Sequence, residues 1–221
     1  MCLRAIRKHD TRLKAGAHMN VLRSTFSSLQ NRNFRYFWFG QCISVMGTWI
    51  QRTAQTWLVY QLTGSAFLVG VLTACQFAPI LILTLVAGTV IDRFPKKQIL
   101  LLTQFGFLLL GLLITILTYT KLIQYWEILI IAVVYGVLQS FDTPTRQSYV
   151  VELVGQKDLM NGISSNSTLF NMAKIVGPSV AGLLMARYSV AFCFLVNTIS
   201  YLAVLLGLFL IHQTNTLASW A

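Results

Sequence analysis

The chain has 221 residues, of which 56% are hydrophobic and only 10% are charged, and its formal net charge is +11. A soluble globular domain carries about 25% charged residues, so this composition excludes that class and indicates an integral membrane protein. The apolar runs are continuous rather than alternating, which indicates membrane-spanning helices and not a β-barrel.

The first 35 residues form a basic tail that precedes the first long apolar run. Eight of the 17 Lys and Arg residues lie in it: Arg4, Arg7, Lys8, Arg12, Lys14, Arg23, Arg32 and Arg35. This clustering favours a cytoplasmic topology signal over nucleic-acid binding, and the alternative is a tail that binds lipid or another partner. A further hypothesis is that the true start is Met19 and that residues 1–18 lie upstream of it.

Six membrane-spanning helices are predicted along the chain, because its apolar runs approach the ~20 residues that cross a bilayer. Their predicted ranges are 36–61, 66–91, 98–119, 125–141, 161–186 and 189–211, followed by a short polar tail at 212–221. Thirteen Lys and Arg residues fall on one side of these helices, against only Lys121 and Arg187 on the other. By the positive-inside rule both termini are expected in the cytoplasm of a multi-pass protein of the inner or plasma membrane.

Two short motifs stand out among these helices. The stretch 88–97, GTVIDRFPKK, joins the second and third helices and is called the signature loop below. Its distinctive residues are Gly88, Asp92, Arg93, Lys96 and Lys97. The stretch 173–182 of the fifth helix, AKIVGPSVAG, contains Gly177, Pro178 and Gly182. Because proline lacks a backbone N–H, this second motif is predicted to permit a kink.

Both motifs resemble elements of the major facilitator superfamily. The signature loop is similar to G-x-x-x-D-[RK]-x-G-[RK]-[RK], with Pro95 in place of the usual glycine, and the second motif is similar to GPxxGG, with Ala181 in place of a glycine. The runs 33–70 and 141–154 resemble the enterobactin-exporter-like branch, also called transmembrane secretion effectors.

This resemblance covers about residues 31–211 and implies an all-α integral membrane fold. The family has twelve or more spans in two halves, and each six-helix half consists of two inverted three-helix repeats. The chain matches the N-terminal half alone. We therefore expect a fragment or truncated product, or a protein that needs a C-terminal six-helix half or a second copy for transport.

The resemblance also implies that the signature loop is a gate that latches the two halves in the outward-facing state. Gly88 is expected to let a neighbouring helix approach closely. Asp92 is expected to accept hydrogen bonds from the bases of its own loop or to face a helix N-terminus. Asp142, at the predicted end of the fourth helix, is a candidate second acid for Lys96. The alternative is that this loop is only a topology signal.

Polar side chains recur at spacings of three and four along the first helix, which places them on one face. These residues are Gln41, Ser44, Thr48, Arg52 and Gln55. The second, fourth and fifth helices add Thr73, Gln76, Tyr135, Gln139, Ser164, Ser167, Asn171 and Lys174. Since polar groups are costly against lipid, and the family places these helices around a central cavity, the set is predicted to line a substrate cavity. The alternative is polar contact between helices.

The two bases embedded in apolar spans suggest the type of substrate. Arg52 is expected to reach Glu127, the only acid inside an apolar span, whereas Lys174 lies near the midplane without an obvious partner. An unpaired cation there costs at least about 2.5–3.5 kcal/mol. The sequence therefore favours an anionic or acidic small-molecule substrate, with an acid from a missing half as one alternative.

These observations predict the N-terminal half of a secondary active transporter that exports small organic molecules, such as siderophores or drugs, by alternating access. The predicted fourth helix, 125–141, lacks the arginine that many proton-coupled antiporters of the family carry, so the sequence does not identify the coupling ion. The alternative is a truncated, non-transporting six-helix protein that acts as an assembly or regulatory partner. An enzyme is not expected, since the sequence has no nucleophile–base pair, metal-ligand spacing or phosphate-binding loop and implies no cofactor.

Overall fold

The computed structural model describes residues 32–154 and 159–210, which form six α-helices. Their bounds are α1 Arg32–Thr63, α2 Ala66–Arg93, α3 Lys96–Tyr119, α4 Tyr125–Val154, α5 Leu159–Arg187 and α6 Val190–Leu210. Of these, α2 to α6 have the length and apolar composition needed to cross a membrane. The predicted all-helical membrane fold is confirmed. Most of the basic tail, the base Lys157 and the C-terminal polar tail lie outside the described residues.

The helix α1 is long enough to span a membrane but is less apolar than the others. Its polar side chains are the reason, and several of them are buried inside the bundle. Gln41 has 0%, Ser44 3%, Gln51 6% and Gln55 3% of its surface exposed. A membrane helix can contain more polar residues when its polar face is covered by protein than when it is surrounded by lipid.

Short connections make successive helices antiparallel. Gly64, with a φ of 65°, allows the turn between α1 and α2, and the Ser65 hydroxyl accepts a hydrogen bond from the Leu68 N–H at 3.5 Å. Only Phe94 and Pro95 separate α2 from α3. We call the end of the bundle that carries the signature loop the loop end, and the opposite one, which carries Gly64, the far end.

Helix packing relates the first three helices to the last three. The most extensive contacts of α1 are with α6 and α5, and those of α4 are with α2 and α3. The two repeats correspond helix by helix: α1 to α4, α2 to α5 and α3 to α6. Under this correspondence the pair α1–α5 becomes α4–α2, and the pair α1–α6 becomes α4–α3. This is the relation expected of the two inverted three-helix repeats.

The prediction that the fourth helix ends at Phe141 is wrong, because α4 continues to Val154. Pro144 lies inside α4 and removes one backbone N–H from its hydrogen-bond ladder. The neighbouring Thr145 hydroxyl donates to the Phe141 carbonyl at 2.6 Å, and buried surroundings make such a proline tolerable in a membrane helix. Asp142 therefore lies within a helix and not in a loop.

Large apolar side chains cover much of the outside of the bundle. Leu81, Leu85, Leu102 and Ile175 are at least 72% exposed, which in water would be a serious cost. In a bilayer these side chains contact lipid or other spans. Exposure of this extent therefore agrees with a multi-pass membrane protein.

Gly136 of α4 packs closely against α2, and we predict that Gly136→Ala destabilises the bundle. A Cβ there would lie 3.0 Å from Pro79 Cγ and closer still to the Gln76 backbone carbonyl oxygen, which cannot rotate away. Overpacking of this kind costs about 1–3 kcal/mol of unfolding free energy. Thermal unfolding of the detergent-solubilised protein measures the effect. Gly70→Ala is the matched control, since nothing lies within 4 Å of its Cβ position, and equal melting temperatures of the two variants would contradict the prediction.

Candidate functional site

A buried carboxylate links three helices in the loop-end half of the bundle. Asp142 is 1% exposed. Its Oδ1 accepts hydrogen bonds from Thr103 Oγ1 at 2.9 Å and Gln104 Nε2 at 2.8 Å, both on α3. Its Oδ2 accepts from Arg146 Nε at 3.0 Å and from Nη2, one turn further along α4. The Arg146 guanidinium also donates to Gln41 Oε1 of α1. Four donors thus satisfy a charge that would otherwise be very costly to bury.

The predicted pairing of Lys96 with Asp142 is wrong in this structure, because Lys96 contacts Glu152. The length of α4 explains the difference. Glu152 is ten residues beyond Asp142, which is about 15 Å along a helix at 1.5 Å per residue. The continuation of α4 therefore places Glu152 beside the signature loop and leaves Asp142 inside the bundle.

Three other residues of the signature loop, Gly88, Asp92 and Arg93, face outward. Asp92 and Arg93 are exposed, and Asp92 makes no hydrogen bond or ion pair within the part of the chain that the structure describes. Gly88 is also exposed, and nothing lies within 4 Å of the position its Cβ would take. The close helix approach expected at Gly88 is therefore not made by any described residue.

Two cavities lie in the bundle, one towards each end. The loop-end cavity has a volume of about 220 Å³. Its lining includes Ser44, Thr48, Trp49, Arg52, Phe107, Tyr135, Gln139, Asp142, Thr143, Arg146, Gln147 and Tyr201. The far-end cavity has a volume of about 640 Å³. Its lining includes Trp49, Arg52, Thr53, Thr56, Trp57, Tyr60, Ala66, Thr73, Gln76, Phe77 and Pro178.

Two residues of α1, Trp49 and Arg52, line both cavities and form the junction between them. The Arg52 guanidinium lies 5.4 Å from the ring centroids of Trp49 and Phe77. The expected pairing of Arg52 with Glu127 is wrong, because the Glu127 carboxylate accepts the Gln124 backbone N–H at 3.0 Å and so caps the start of α4. Among the described residues, Arg52 contacts aromatic rings and no acid.

The structure divides the predicted cavity residues into three groups. Thr48 and Gln139 line the loop-end cavity, and Gln76 lines the far-end cavity. Gln41 and Gln55 are buried between helices, where Gln41 accepts from Arg146, and Gln55 Oε1 accepts from Gln76 Nε2 at 3.3 Å. These two bonds match the alternative of polar contact between helices.

The third group lies on α5 and is exposed. It consists of Asn171 and Lys174, neither of which lines the two cavities above. Asn171 donates to the Ser167 carbonyl one turn earlier, at 3.0 Å. The Lys174 ammonium lies 5.8 Å from the Trp49 ring centroid, so it reaches the junction from outside the cavities.

The glycine and proline residues of α5 have different surroundings. A Cβ at Gly177 would lie 2.5 Å from Trp49 Cβ, so this glycine is what lets α1 and α5 cross closely. Pro178 lines the far-end cavity, and α5 continues through it without interruption. Gly182 has nothing within 4 Å of its Cβ position.

Tyr135 of the loop-end cavity was predicted from the sequence, but the other aromatic residues of the site were not. Trp49, Phe77, Phe107 and Tyr201 lie in apolar runs, where an aromatic side chain gives no sign of whether it faces lipid or protein. For Trp49 a usable signal exists, since it lies three residues before an embedded arginine and one residue after Thr48 of the polar stripe. Within the described residues, no three His, Cys, Asp or Glu side chains form a metal-binding group.

Comparison with known proteins gives a consistent set of relatives. The family model described as transmembrane secretion effector matches residues 23–219. The chain is 30% identical over 176 residues to the staphyloferrin A transporter of Staphylococcus aureus, which covers 79% of the chain and 44% of that protein. It is 27% identical over 158 residues to the MFS-type transporter YfiS of Bacillus subtilis, covering 71% and 37%.

A third relative is macrolide efflux protein A of Streptococcus pyogenes, which is 26% identical over 151 residues. That alignment covers 68% of the chain and 37% of the relative. The chain therefore spans less than half the length of each of these three curated relatives.

We predict that Asp142→Asn destabilises the bundle much more than Asp92→Asn does. Loss of the carboxylate leaves the buried Arg146 charge unpaired, and breaking a buried pair in this way costs about 3–5 kcal/mol. Asp92 is exposed and unpaired within the described chain, so its neutralisation is expected to leave the melting temperature nearly unchanged. Thermal unfolding of the two purified variants compares them directly. Similar melting temperatures would show that the Asp142 cluster does not hold the helices together.

Proposed function

Because the chain belongs to the transmembrane secretion effector family of the major facilitator superfamily, we propose that it works as the N-terminal half of a secondary active exporter. Its relatives are named for staphyloferrin A transport and macrolide efflux, which supports small organic molecules as the cargo. The cargo passes through the bundle by alternating access, and the protein carries out no covalent chemistry.

The junction at Trp49 and Arg52 is the observation that carries this proposal. One cavity lies towards each end of the bundle, and these two side chains line both of them. In an alternating-access transporter a single central site opens to one side of the membrane at a time. A group that lines both entrances is placed to contact cargo in either state.

A second six-helix unit completes the transporter in this proposal. The chain spans less than half of each reported relative, and its exposed surface is rich in large apolar side chains. A C-terminal half or a second copy covers part of this surface and closes the cavities on their open side. The excess of bases at the loop end supports a cytoplasmic position for that end and for both termini in the plasma or inner membrane.

The signature loop acts as the gate at the loop end. Gly88, Asp92 and Arg93 point away from the six helices, so they are free to engage the second unit. Lys96 is tied to Glu152 of α4 and fixes the position of the loop. Asp142 contributes indirectly, because it holds α3 and α4 together behind the loop.

The first test is the reciprocity of access, measured with single cysteines in a background where Cys2, Cys42, Cys75 and Cys193 are alanine. Thr56→Cys reports on the far-end cavity and Gln147→Cys on the loop-end cavity. We predict that an impermeant maleimide labels the two sites from opposite sides of the membrane. Conditions that speed labelling at one site should slow it at the other, since only one entrance opens at a time.

Lys121→Cys is the control for this test, because it is exposed in a far-end connection outside both cavities and its labelling should stay constant. Labelling rates of Thr56→Cys and Gln147→Cys that never change in opposite directions would argue against alternating access. That result would favour the alternative of a non-transporting assembly partner.

The gate has a separate prediction. Asp92→Asn is expected to reduce efflux at least several-fold while membrane insertion and the melting temperature stay normal, because only the contact with the second unit is lost. Dye efflux from cells that express the complete gene measures the effect. Glu127→Gln is the matched control, since it removes an acid at the far end but keeps an oxygen that can cap α4. Unchanged efflux in Asp92→Asn would favour a topology signal only.

A further inference from the structure

Two cations flank one indole ring at the junction of the cavities. The Arg52 guanidinium lies 5.4 Å from the Trp49 ring centroid, and the Lys174 ammonium lies 5.8 Å from the same ring. They come from different helices, α1 and α5, which cross closely because Gly177 packs against Trp49 Cβ. The crossing therefore fixes both positive charges around the same side chain.

Neither cation has a carboxylate partner among the residues that the structure describes. That part of the chain contains four acids, and none of them pairs with either cation. Glu152 pairs with Lys96, Asp142 pairs with Arg146, and Glu127 accepts the Gln124 N–H. Asp92 is exposed at the loop end of α2. Arg52 Nε is buried and also lacks a hydrogen-bond acceptor there. The junction thus carries two positive charges that the bundle does not neutralise.

Charge compensation distinguishes this site from the Asp142 cluster. Arg146 also lines a cavity, but Asp142 neutralises it through two hydrogen bonds. At the junction the Arg52 guanidinium lies against the faces of Trp49 and Phe77, with no carboxylate beside it among the described residues. A cation–π contact compensates a charge inside a membrane less completely than a paired carboxylate does. A bound anion would supply that compensation.

We propose that the junction of Arg52, Lys174 and Trp49 binds an organic anion, and that this anion has a planar apolar part. The carboxylate or an equivalent acid group pairs with the two cations. Trp57, Tyr60 and Phe77 of the far-end cavity contact the apolar part. The inference rests on the proposed transport function, and it names the class of cargo that the same site accepts.

Binding of three matched naphthalene compounds tests the proposal on the full-length gene product in detergent. The probes are 2-naphthoate, neutral 2-naphthamide and cationic 2-naphthylmethylammonium, which differ mainly in charge. Isothermal titration calorimetry is expected to give clearly tighter binding for 2-naphthoate than for the other two. Arg52→Gln and Lys174→Gln should each weaken 2-naphthoate binding by roughly tenfold or more, since each loses a charge-assisted hydrogen bond. Binding of 2-naphthamide should change little.

Arg187→Gln is the matched control variant. Arg187 also lies over an aromatic ring, 5.8 Å from the Tyr188 centroid, but it is outside both cavities. Its substitution should leave 2-naphthoate binding unchanged. Arg52→Lys retains the charge and should bind 2-naphthoate better than Arg52→Gln. This comparison distinguishes an effect of the lost charge from an effect of misfolding. The melting temperature of each variant confirms that it is folded.

Equal binding of 2-naphthoate and 2-naphthamide, or wild-type affinity in both glutamine variants, would overturn the proposal. The first result is also the one expected if an acid from the rest of the transporter occupies the junction. These outcomes are independent of the cysteine-labelling test. Reciprocal access without anion preference would retain the exporter and reject the anion site, whereas anion binding without reciprocal access would reject the exporter.

Discussion

The carboxylate of Asp142 is the interaction on which the loop-end half of the bundle depends. It receives donors from α3 and α4, and through Arg146 it reaches Gln41 of α1. Inside the bundle water does not solvate this charge, so protein donors must hydrogen-bond to it in a fixed geometry. One side chain and its arginine partner therefore link three helices, and both line the loop-end cavity.

Sequence patterns were sufficient for the helices but not for their polar contacts. The six predicted spans correspond to α1 to α6, because long apolar runs interrupted by turn residues leave little freedom in a membrane. The end of α4 was misjudged because Pro144 and nearby charges are typical of a loop in water. Only the surrounding helices show that Asp142 and Arg146 satisfy each other within one helix.

The candidate site was predicted in part. The polar stripe of α1 correctly indicated a face turned towards protein, yet a spacing of three or four cannot tell a side chain that lines a cavity from one bonded to a neighbour. Gln55 and Thr48 share this face, but Thr48 lines the loop-end cavity whereas Gln55 accepts a hydrogen bond from Gln76. Trp49 was not predicted, because its role depends on the crossing with Gly177, which is 128 positions away in the chain.

The polar contacts of α1 also set the earliest time during synthesis at which its buried amides can be paired. Gln51 accepts a hydrogen bond from Asn197, which is 146 residues later, and Gln41 accepts one from Arg146, which is 105 residues later. At about 5–20 residues per second, a ribosome needs roughly 7–30 s to make the longer of these segments. During that time α1 has already left the ribosome, but the later residues that bond its Gln41 and Gln51 amides have not all been made. The pairing of these amides is therefore a late event, which waits for α6 even though α1 is the first of the six helices to be made.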